Sequence, residues 1–377
     1  MLSDVYFPRI NGVSTSIETF RRDLGGSDIR VTLVAPAYEE HPGGEDVLRV
    51  RARRLPFDPE DRLMVWRSLR RKVDEACREP VDLIHIQTPF AAHYAGVGAA
   101  RRLGRPVVAT YHTHFEEYIG HYLPVLPRPL LRATARGIAR GQCNGLDAVI
   151  VPSRAMEQTL QGYGVTAATH VLPTGIPIER FNGGDRGRFR TRHDIAEHRP
   201  VALFVGRVAH EKNIDFLLRA VAIAARAMPE LLLVVAGEGP ALPSLLRQAA
   251  SLGIEGNVRF IGYMDRSTEL PDCYAGADAF AFASRTETQG LVLLEAMAAG
   301  LPVYAFAAMG TRDIVEPGRG AIAAAQHEAG FADGLVRLLR DPALRARMAV
   351  EGSCFANDWS APERARQLAH LYRSLKR

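Results

Sequence analysis

The chain has 377 residues, of which 47% are hydrophobic, 24% are charged and 7% are aromatic, and its formal net charge is +5. These proportions are those of an ordinary globular protein and exclude a disordered or fibrous chain. At about 150 residues per domain, the length predicts two or three domains. Lysine occurs only at Lys72, Lys212 and Lys376, so arginine supplies nearly all of the basic side chains.

The cysteines and the apolar runs bear on the class of protein and its compartment. Cys77, Cys143, Cys273 and Cys354 lie far apart and form no CxxC pair, which indicates neither a zinc ribbon nor a disulfide framework. The longest apolar runs are much shorter than the roughly 20 residues that span a bilayer as a helix. We therefore expect a cytoplasmic protein, and peripheral attachment to the inner face of the membrane stays open.

Short apolar runs typical of buried strands recur along the chain. In chain order they cover residues 31–35, 83–86, 107–110, 148–151, 202–205, 231–236, 258–261, 279–283 and 303–306. Helical patterns separate most of them, for example over residues 215–228 and 241–252. Strands that alternate with helices predict the α/β class, with parallel sheets covered by helices on both faces.

The pattern divides into two sets near residues 176–200, where Pro177, glycines and a burst of charge interrupt it. We predict an N-terminal domain over residues 1–178, a C-terminal domain over 179–355, and a final segment over 356–377 that packs back as a helix. The first strand is anomalous, because Ser3 and Asp4 bring polar turn chemistry after two residues. Either that strand is very short or the stated start lies inside a longer reading frame, and we favour a truncated strand.

Two cations follow the predicted strand 202–205. Arg207 and Lys212 lie in the loop that leads from this strand into the next helix. A loop at the carboxyl end of a strand lines the ligand crevice of a doubly wound sheet, and two cations there suit a diphosphate. The alternative is that both are solvated loop charges.

A second loop, over residues 284–290, precedes a helix that ends before Gly300 and Pro302. Thr286 or Thr288 is suited to cap this helix, and Gly290 would let an anion approach its free N–H groups. Glu287 and Glu295 would face the same crevice, where carboxylates accept hydrogen bonds from sugar and ribose hydroxyls. The alternative is that Glu287 only complements the helix dipole and Glu295 is solvated.

These motifs together resemble the retaining glycosyltransferases of family 4, which have the GT-B fold. Gly-Arg-x4-Lys begins at Gly206, and Glu-x7-Glu begins at Glu287, about 75 residues after Lys212. The segments SDVYFPRINGV at residues 3–13, TYHT at 110–113 and PTGIP at 173–177 resemble further segments of the family. The resemblance implies two Rossmann-like doubly wound domains facing a central cleft, with a C-terminal helix that crosses back to the N-terminal domain.

The resemblance also implies roles for individual residues. The N-terminal domain would serve the acceptor and the C-terminal domain the nucleotide sugar. The residues expected to act in catalysis are His112, Arg207, Lys212 and Glu287. The residues expected to bind the donor are Gly12, Arg207, Lys212, Tyr263, Met264, Thr288, Gln289, Gly290, Leu291 and Glu295, with Glu295 on the ribose and Tyr263 and Met264 near the base. His114 and His121 would lie in an acceptor loop.

The expected reaction is retaining transfer of a hexose from a UDP- or GDP-linked sugar to a hydroxyl acceptor. We expect no cofactor, no metal requirement and no nucleic-acid partner. Two alternatives stay open: a nucleotide-sugar 2-epimerase on the same fold, and a nicotinamide-dependent dehydrogenase. The dehydrogenase would need a GxGxxG loop after a strand, and the sequence has none.

A basic stretch leads from Arg49 to Lys72, with nine basic residues and three acidic ones. From Arg62 onward, Leu63, Trp66, Leu69 and Val73 follow helical spacing, which predicts a basic amphipathic helix. Such a helix can lie on an anionic bilayer, or it can pack an ordinary domain with a solvated basic face. The segment at residues 111–118 resembles that of glycolipid-forming family members, which favours a lipid or lipid-linked acceptor over a free sugar.

Overall fold

A computed structural model describes residues 1–9, 11–38, 44, 46–55, 58–112, 128–266 and 268–376. Two compact units make up the chain, one formed by Met1–Gly175 with Ala361–Arg377 and the other by Ile176–Ser360. The domain boundaries predicted after residues 178 and 355 fall a few residues from these limits. No helix in the described ranges is both long and apolar enough to cross a bilayer.

The first unit alternates strands and helices. Its strands are β1 (Leu33–Pro36), β2 (Val47–Val50), β3 (Ala52–Leu55), β4 (Asp58–Met64), β5 (Ile84–Ile86), β6 (Val107–Thr110), β7 (Ala148–Val151) and β8 (Thr169–Val171). Its helices before Gly175 are α1 (Gly12–Leu24), α2 (Trp66–Ala76), α3 (Ala91–Leu103), α4 (Arg128–Asn144) and α5 (Arg154–Gly162). A single 3-10 turn, Gly25–Ser27, follows α1.

Leu2 joins the two parallel parts of the main sheet in this unit. It forms parallel bridges to Val34 of β1 on one side and to Ile86 of β5 on the other. The order across the sheet is therefore β2, β1, Leu2, β5, β6, β7 and β8. Leu2 thus lies between β1 and β5 in this sheet, and the truncated first strand stays a prediction.

The second unit contains strands β9 (Val201–Val205), β10 (Leu232–Ala236), β11 (Val258–Gly262), β12 (Ala279–Phe282), β13 (Val303–Ala305) and β14 (Ala321–Ala323). Its helices are α6 (Arg186–Arg192), α7 (Ile214–Ala227), α8 (Leu242–Leu252), α9 (Glu269–Gly276), α10 (Leu291–Ala298), α11 (Arg312–Val315), α12 (Glu328–Arg340) and α13 (Pro342–Asn357). Single 3-10 turns lie at Ile178–Arg180, His210–Lys212, Glu255–Asn257 and Met309–Thr311.

The sheet of the second unit is parallel throughout, in the order β11, β10, β9, β12, β13 and β14. Every residue of β9, β10 and β12 is buried, because helices cover both faces of the sheet, and this explains the continuous apolar runs in the sequence. Successive strands are added in one direction from β9 to β11 and in the other direction from β12 to β14, so the strand order reverses between β9 and β12. In sheets of this kind, ligands bind outside the carboxyl ends of the strands at that reversal point.

The C-terminal helix α14 (Ala361–Leu375) packs on the first unit, as predicted. Its buried face, which includes Leu368, lies in one apolar cluster with Phe20 of α1 and Val108 of β6. Tyr372 of the same helix hydrogen-bonds the buried His85 of β5. This helix therefore closes the core of the first unit with apolar contacts and one buried polar contact.

The prediction of a helix from Arg62 onward is wrong about where the helix begins. Leu63 lies in β4, which pairs in antiparallel register with β3, and the helix α2 begins only at Trp66. The alternation of burial explains the strand, since Met64 is buried whereas Leu63 is 56% exposed. Leu69 and Val73 are buried on the inner face of α2, as their spacing predicts.

Candidate active site

Lys212 and Glu287 meet where the strand order of the second unit reverses. Lys212 ends the 3-10 turn after β9, and Glu287 lies in the loop after β12. The Lys212 Nζ lies 2.6 Å from Oε1 of Glu287, and each side chain is only 18% exposed. Both motifs of the sequence analysis therefore reach the point at which the fold places a ligand.

Arg207 comes from the same loop as Lys212. It follows Gly206 at the end of β9 and is exposed. Its guanidinium forms no ion pair with another residue of the described ranges. The loop thus presents one exposed guanidinium and one half-buried ammonium at the ligand edge of the sheet, and two cations of this kind complement a diphosphate.

The loop before α10 ends at Gly290, which adopts a φ of 93° and is the N-cap residue. No side chain caps this helix, so the prediction that Thr286 or Thr288 is its cap is wrong. Gly290 occupies the position because the left-handed conformation disfavours residues with a Cβ atom. Gln289 and Gly290 are buried, whereas Thr288 and Leu291 are half-buried at the first turn.

Gly310 supports this loop from the segment after β13. Its N–H donates to the carbonyl oxygen of Glu287 at 2.8 Å. A Cβ atom at residue 310 would lie 2.0 Å from the carbonyl oxygen of Thr288, which is far inside van der Waals contact. The close approach of two backbones therefore holds the loop that carries Glu287.

We expect Gly310→Ala to lower activity at least tenfold and stability by about 1–3 kcal/mol, because one of the two backbones must move. Gly137→Ala in α4 is the matched control, since a Cβ atom there meets open space. Melting temperature and initial rate report the two effects. Wild-type activity in Gly310→Ala would contradict the role of this contact.

Glu295 is held from two sides inside the second unit. Arg266 donates to Oε1 of its carboxylate, and the Tyr274 hydroxyl donates to Oε2 at 2.9 Å. The Glu295 side chain is only 2% exposed, which excludes the alternative of a solvated helix residue. Burial and the neighbouring carboxylate raise the pKa of Tyr274 well above its ordinary value, so the hydroxyl stays a donor.

Tyr263 and Met264 follow β11 directly. Tyr263 is 45% exposed, whereas Met264 is half-buried against the core of the unit. An exposed aromatic ring at the carboxyl end of a strand can stack on a planar ring. These two residues keep their predicted role beside the base as an expectation.

In the first unit, His112 follows β6 and Gln87 follows β5, at the carboxyl ends of adjacent strands. The Nε2 of His112 lies 2.8 Å from Oε1 of Gln87, and because an amide oxygen only accepts, His112 donates. Gln87 is buried, and its backbone N–H donates to the carbonyl oxygen of Leu2. Burial lowers the pKa of His112 to about 4, so its imidazole is neutral near pH 7.

We expect kcat/KM to show no step caused by His112 between pH 5 and pH 8. A histidine with its ordinary pKa would titrate near about pH 6.5, but here the protonated form is populated only near pH 4. The measurement is a pH profile of the wild type and of His112→Asn. An inflection near neutrality that disappears in His112→Asn would contradict the neutral imidazole.

Gly12 is the first residue of α1, and the side chain of Asn11 caps that helix by accepting from Ser14 N at 2.8 Å. Gly12 is exposed, and a Cβ atom added to it would meet no other atom within 4 Å. A backbone without a side chain at a helix N-terminus fits the predicted approach of phosphate. His114 and His121 lie outside the described residues.

Some residues that define these sites have no sequence signal. They contact residues that lie far away along the chain, and they are Arg266, Tyr274, Gln87 and Gly310. No regular spacing joins any of them to its partner.

Among the described residues, no three histidine, cysteine or carboxylate side chains form a group that could hold a metal ion.

Comparison with known proteins agrees with this arrangement. The profile of Glycosyltransferase Family 4 matches residues 10–180, and that of Glycosyl transferases group 1 matches residues 185–353. The alpha-monoglucosyldiacylglycerol synthase of Streptococcus pneumoniae is 34% identical over 81% of this chain and 70% of its own length. The GDP-mannose-dependent alpha-(1-6)-phosphatidylinositol monomannoside mannosyltransferase of Mycolicibacterium smegmatis is 30% identical over 98% of this chain and 97% of its own.

Solved structures share the fold. HepE from Anabaena, in complex with UDP and glucose, is 21% identical with a TM-score of 0.78, over 99% of each chain. Neither relative is named as an epimerase or a dehydrogenase, so neither alternative gains support from them. The chain therefore belongs to the family 4 and group 1 glycosyltransferases, has the GT-B fold, and is a glycosyltransferase.

Proposed function

We propose that this glycosyltransferase moves a hexose from a UDP- or GDP-linked sugar to a hydroxyl of a lipid or lipid-linked acceptor, with retention of anomeric configuration. The observation that carries the proposal is the meeting of Lys212 and Glu287 at the reversal point of the second sheet. Relatives named as a monoglucosyldiacylglycerol synthase and a phosphatidylinositol monomannoside mannosyltransferase support the class of acceptor.

The charges of the site fit the charge that develops in this reaction. Negative charge grows on the diphosphate as the sugar leaves, and Arg207 and Lys212 can stabilise it. A preorganised donor or cation of this kind is typically worth about 3 kcal/mol, or more than about a hundredfold in rate. Glu287 can accept hydrogen bonds from hydroxyls of the transferred sugar, which orients the anomeric carbon.

The proposed step is balanced without a protein general base. The bond between the anomeric carbon and the diphosphate oxygen breaks, and the bond between that carbon and the acceptor oxygen forms on the same face. The proton of the acceptor hydroxyl passes to the departing phosphate oxygen. The neutral imidazole of His112 can form hydrogen bonds but supplies no positive charge.

A screen of donors and acceptors tests the proposed function. UDP-glucose, UDP-N-acetylglucosamine, UDP-galactose and GDP-mannose are each incubated with diacylglycerol, phosphatidylinositol or no acceptor, and release of the nucleoside diphosphate is followed. We expect release that depends on a lipid acceptor with at least one donor. No release with any pair would contradict the proposal.

We also propose that catalysis needs no bound metal ion, because Arg207 and Lys212 supply the positive charge that the leaving diphosphate requires. A chelator should then leave the initial rate within about twofold of the untreated rate. A loss of activity that added Mg²⁺ or Mn²⁺ restores would contradict this part of the proposal.

We further propose that the enzyme works at the cytoplasmic face of a membrane, with the exposed face of α2 on the lipid. Trp66, Arg67, Arg70 and Arg71 are exposed on this helix, and Tyr94 of α3 is exposed beside it. An aromatic side chain among arginines on one helical face suits the interface of an anionic bilayer. The paired Arg102 and Asp74, at 2.7 Å, flank this surface.

Binding to vesicles tests the membrane surface. Each arginine near an anionic surface contributes about 1 kcal/mol, so Arg67→Gln with Arg70→Gln should weaken binding to phosphatidylglycerol vesicles about 30-fold. Arg347→Gln is the control, because Arg347 lies on α13 in the other unit and pairs with Glu351. Equal sedimentation of both variants with anionic vesicles would contradict the proposed surface.

A further inference from the structure

Glu295 is paired with Arg266, a residue to which the sequence motifs assign no role. Arg266 reaches the carboxylate from the turn that follows β11 and keeps a quarter of its side chain exposed. Tyr274 reaches the other oxygen from α9 and is fully buried. Arg266 is therefore the partner of Glu295 that lies nearer to the surface.

The turn that carries Arg266 is held by its own hydrogen bonds. The Asp265 carboxylate accepts from the N–H of Thr268 at 3.0 Å and from its hydroxyl at 2.9 Å. The Glu269 carboxylate in turn accepts from the N–H of Asp265 at 3.0 Å. These bonds hold residues 265 and 268, which flank the position of Arg266.

The burial of the Glu295 carboxylate is compensated by a charged partner. Removing a carboxylate from water is costly unless the group is paired and hydrogen-bonded. Tyr274 supplies a hydrogen bond but no charge, so the positive charge beside Glu295 comes from Arg266.

We propose that Arg266 is a positioning residue for the nucleoside: its ion pair orients the buried Glu295 carboxylate to accept the ribose hydroxyls. The inference rests on the proposed function and on the expectation from the sequence that Glu295 contacts the ribose. Arg266 uses one acceptor position on one carboxylate oxygen and Tyr274 uses one on the other, and each carboxylate oxygen has two such positions. Neutral hydroxyls cannot replace the guanidinium charge, so Arg266 stays paired while the nucleotide is bound.

Arg266 also joins two parts of the nucleotide site. Met264 and Tyr263, expected beside the base, precede it by two and three residues in the same segment. The ion pair attaches that segment to α10, which carries Glu295. The Arg266–Glu295 contact thus links the segment expected beside the base to the carboxylate expected on the ribose.

Calorimetry with deoxygenated nucleotides tests the proposal. The dissociation constants of UDP and GDP are compared with those of their 2′,3′-dideoxy counterparts, for the wild type, Arg266→Gln, Arg266→Lys and Arg347→Gln. We expect the wild type and Arg347→Gln to prefer the ribonucleotide by about tenfold or more, the size of hydrogen bonds to a charged group. In Arg266→Gln the preference should fall to within about twofold.

The outcomes separate this inference from the proposed function. Wild-type protein that binds neither UDP nor GDP overturns both, whereas binding without preference for the ribonucleotide overturns only the role of Glu295 and Arg266. Equal weakening of both nucleotides in Arg266→Gln, with the preference kept, makes Arg266 merely structural and overturns the inference. If Arg266→Gln does not fold, Arg266→Lys decides: a smaller preference with unchanged dideoxynucleotide affinity supports the inference, and equal loss for both nucleotides overturns it.

Discussion

Lys212→Arg should lower kcat/KM by at least tenfold, and Lys212→Ala by about a hundredfold or more. The Lys212 ammonium is a compact charge held 2.6 Å from Glu287 in a site where each side chain is 18% exposed. Arginine carries the same charge on a longer, planar group that cannot occupy the same position. The affinity for the nucleoside diphosphate should fall together with the rate, because the diphosphate loses its cation.

The other two lysines are matched controls for this change. Lys72 pairs with Glu75 at 3.0 Å within α2, and Lys376 pairs with Asp82 at 3.1 Å beyond the end of α14. Both pairs are accessible to solvent, where arginine can form the same contact. Lys72→Arg and Lys376→Arg should keep wild-type kinetics, and comparable activity of all three variants would refute the assignment of Lys212.

Glu287→Gln should lower kcat by about 10- to 100-fold, the size of hydrogen bonds that involve a charged group. The amide keeps the volume of the side chain but removes the charge that orients sugar hydroxyls. Affinity for UDP or GDP should not fall, because the Glu287 carboxylate and the diphosphate compete for the Lys212 ammonium. Turnover should therefore fall in variants at both positions, whereas nucleotide affinity should fall only in the Lys212 variants.

The control for this change is Glu316→Gln, which breaks an exposed pair with Arg312 in the same unit. It should leave turnover and nucleotide affinity unchanged. Nucleotide affinity that falls in Glu287→Gln as far as it does in Lys212→Ala would mean that the pair is only a structural support for the loop.

The strands of the second unit could be predicted from the sequence because their environment is uniform. Apolar runs at 202–205 and 231–236 correspond to β9 and β10, in which each residue is buried. Parallel strands covered on both faces leave this signal without any need for long-range information. The same holds for α14, whose apolar face follows a simple helical period.

The details of the site could be predicted only where spacing and chemistry coincide. Lys212 and Glu287 follow strands that are adjacent in the sheet, so their meeting follows from the fold. Arg266 could not be predicted, because its position depends on the conformation of a turn. Residue type alone predicts a threonine cap for α10. The N-cap residue is instead Gly290, which has a left-handed backbone and no side-chain oxygen.

The beginning of α2 shows how a local period can mislead. Leu63 and Trp66 are three residues apart, which suits a helix, but residues 62–64 pair with β3 in an antiparallel ladder. The ladder supplies hydrogen bonds that the local pattern does not reveal. The outcome leaves Leu63 and Trp66 both exposed on the first unit.

The most direct test follows the anomeric carbon itself. A nucleotide sugar labelled with carbon-13 at that position is incubated with the enzyme and a lipid acceptor, and the products are followed by nuclear magnetic resonance. We predict that the label passes from the nucleotide sugar to a glycolipid with the same anomeric configuration. An inverted glycoside, a nucleotide sugar epimerised at C2, or a label that never leaves the nucleotide would contradict the account.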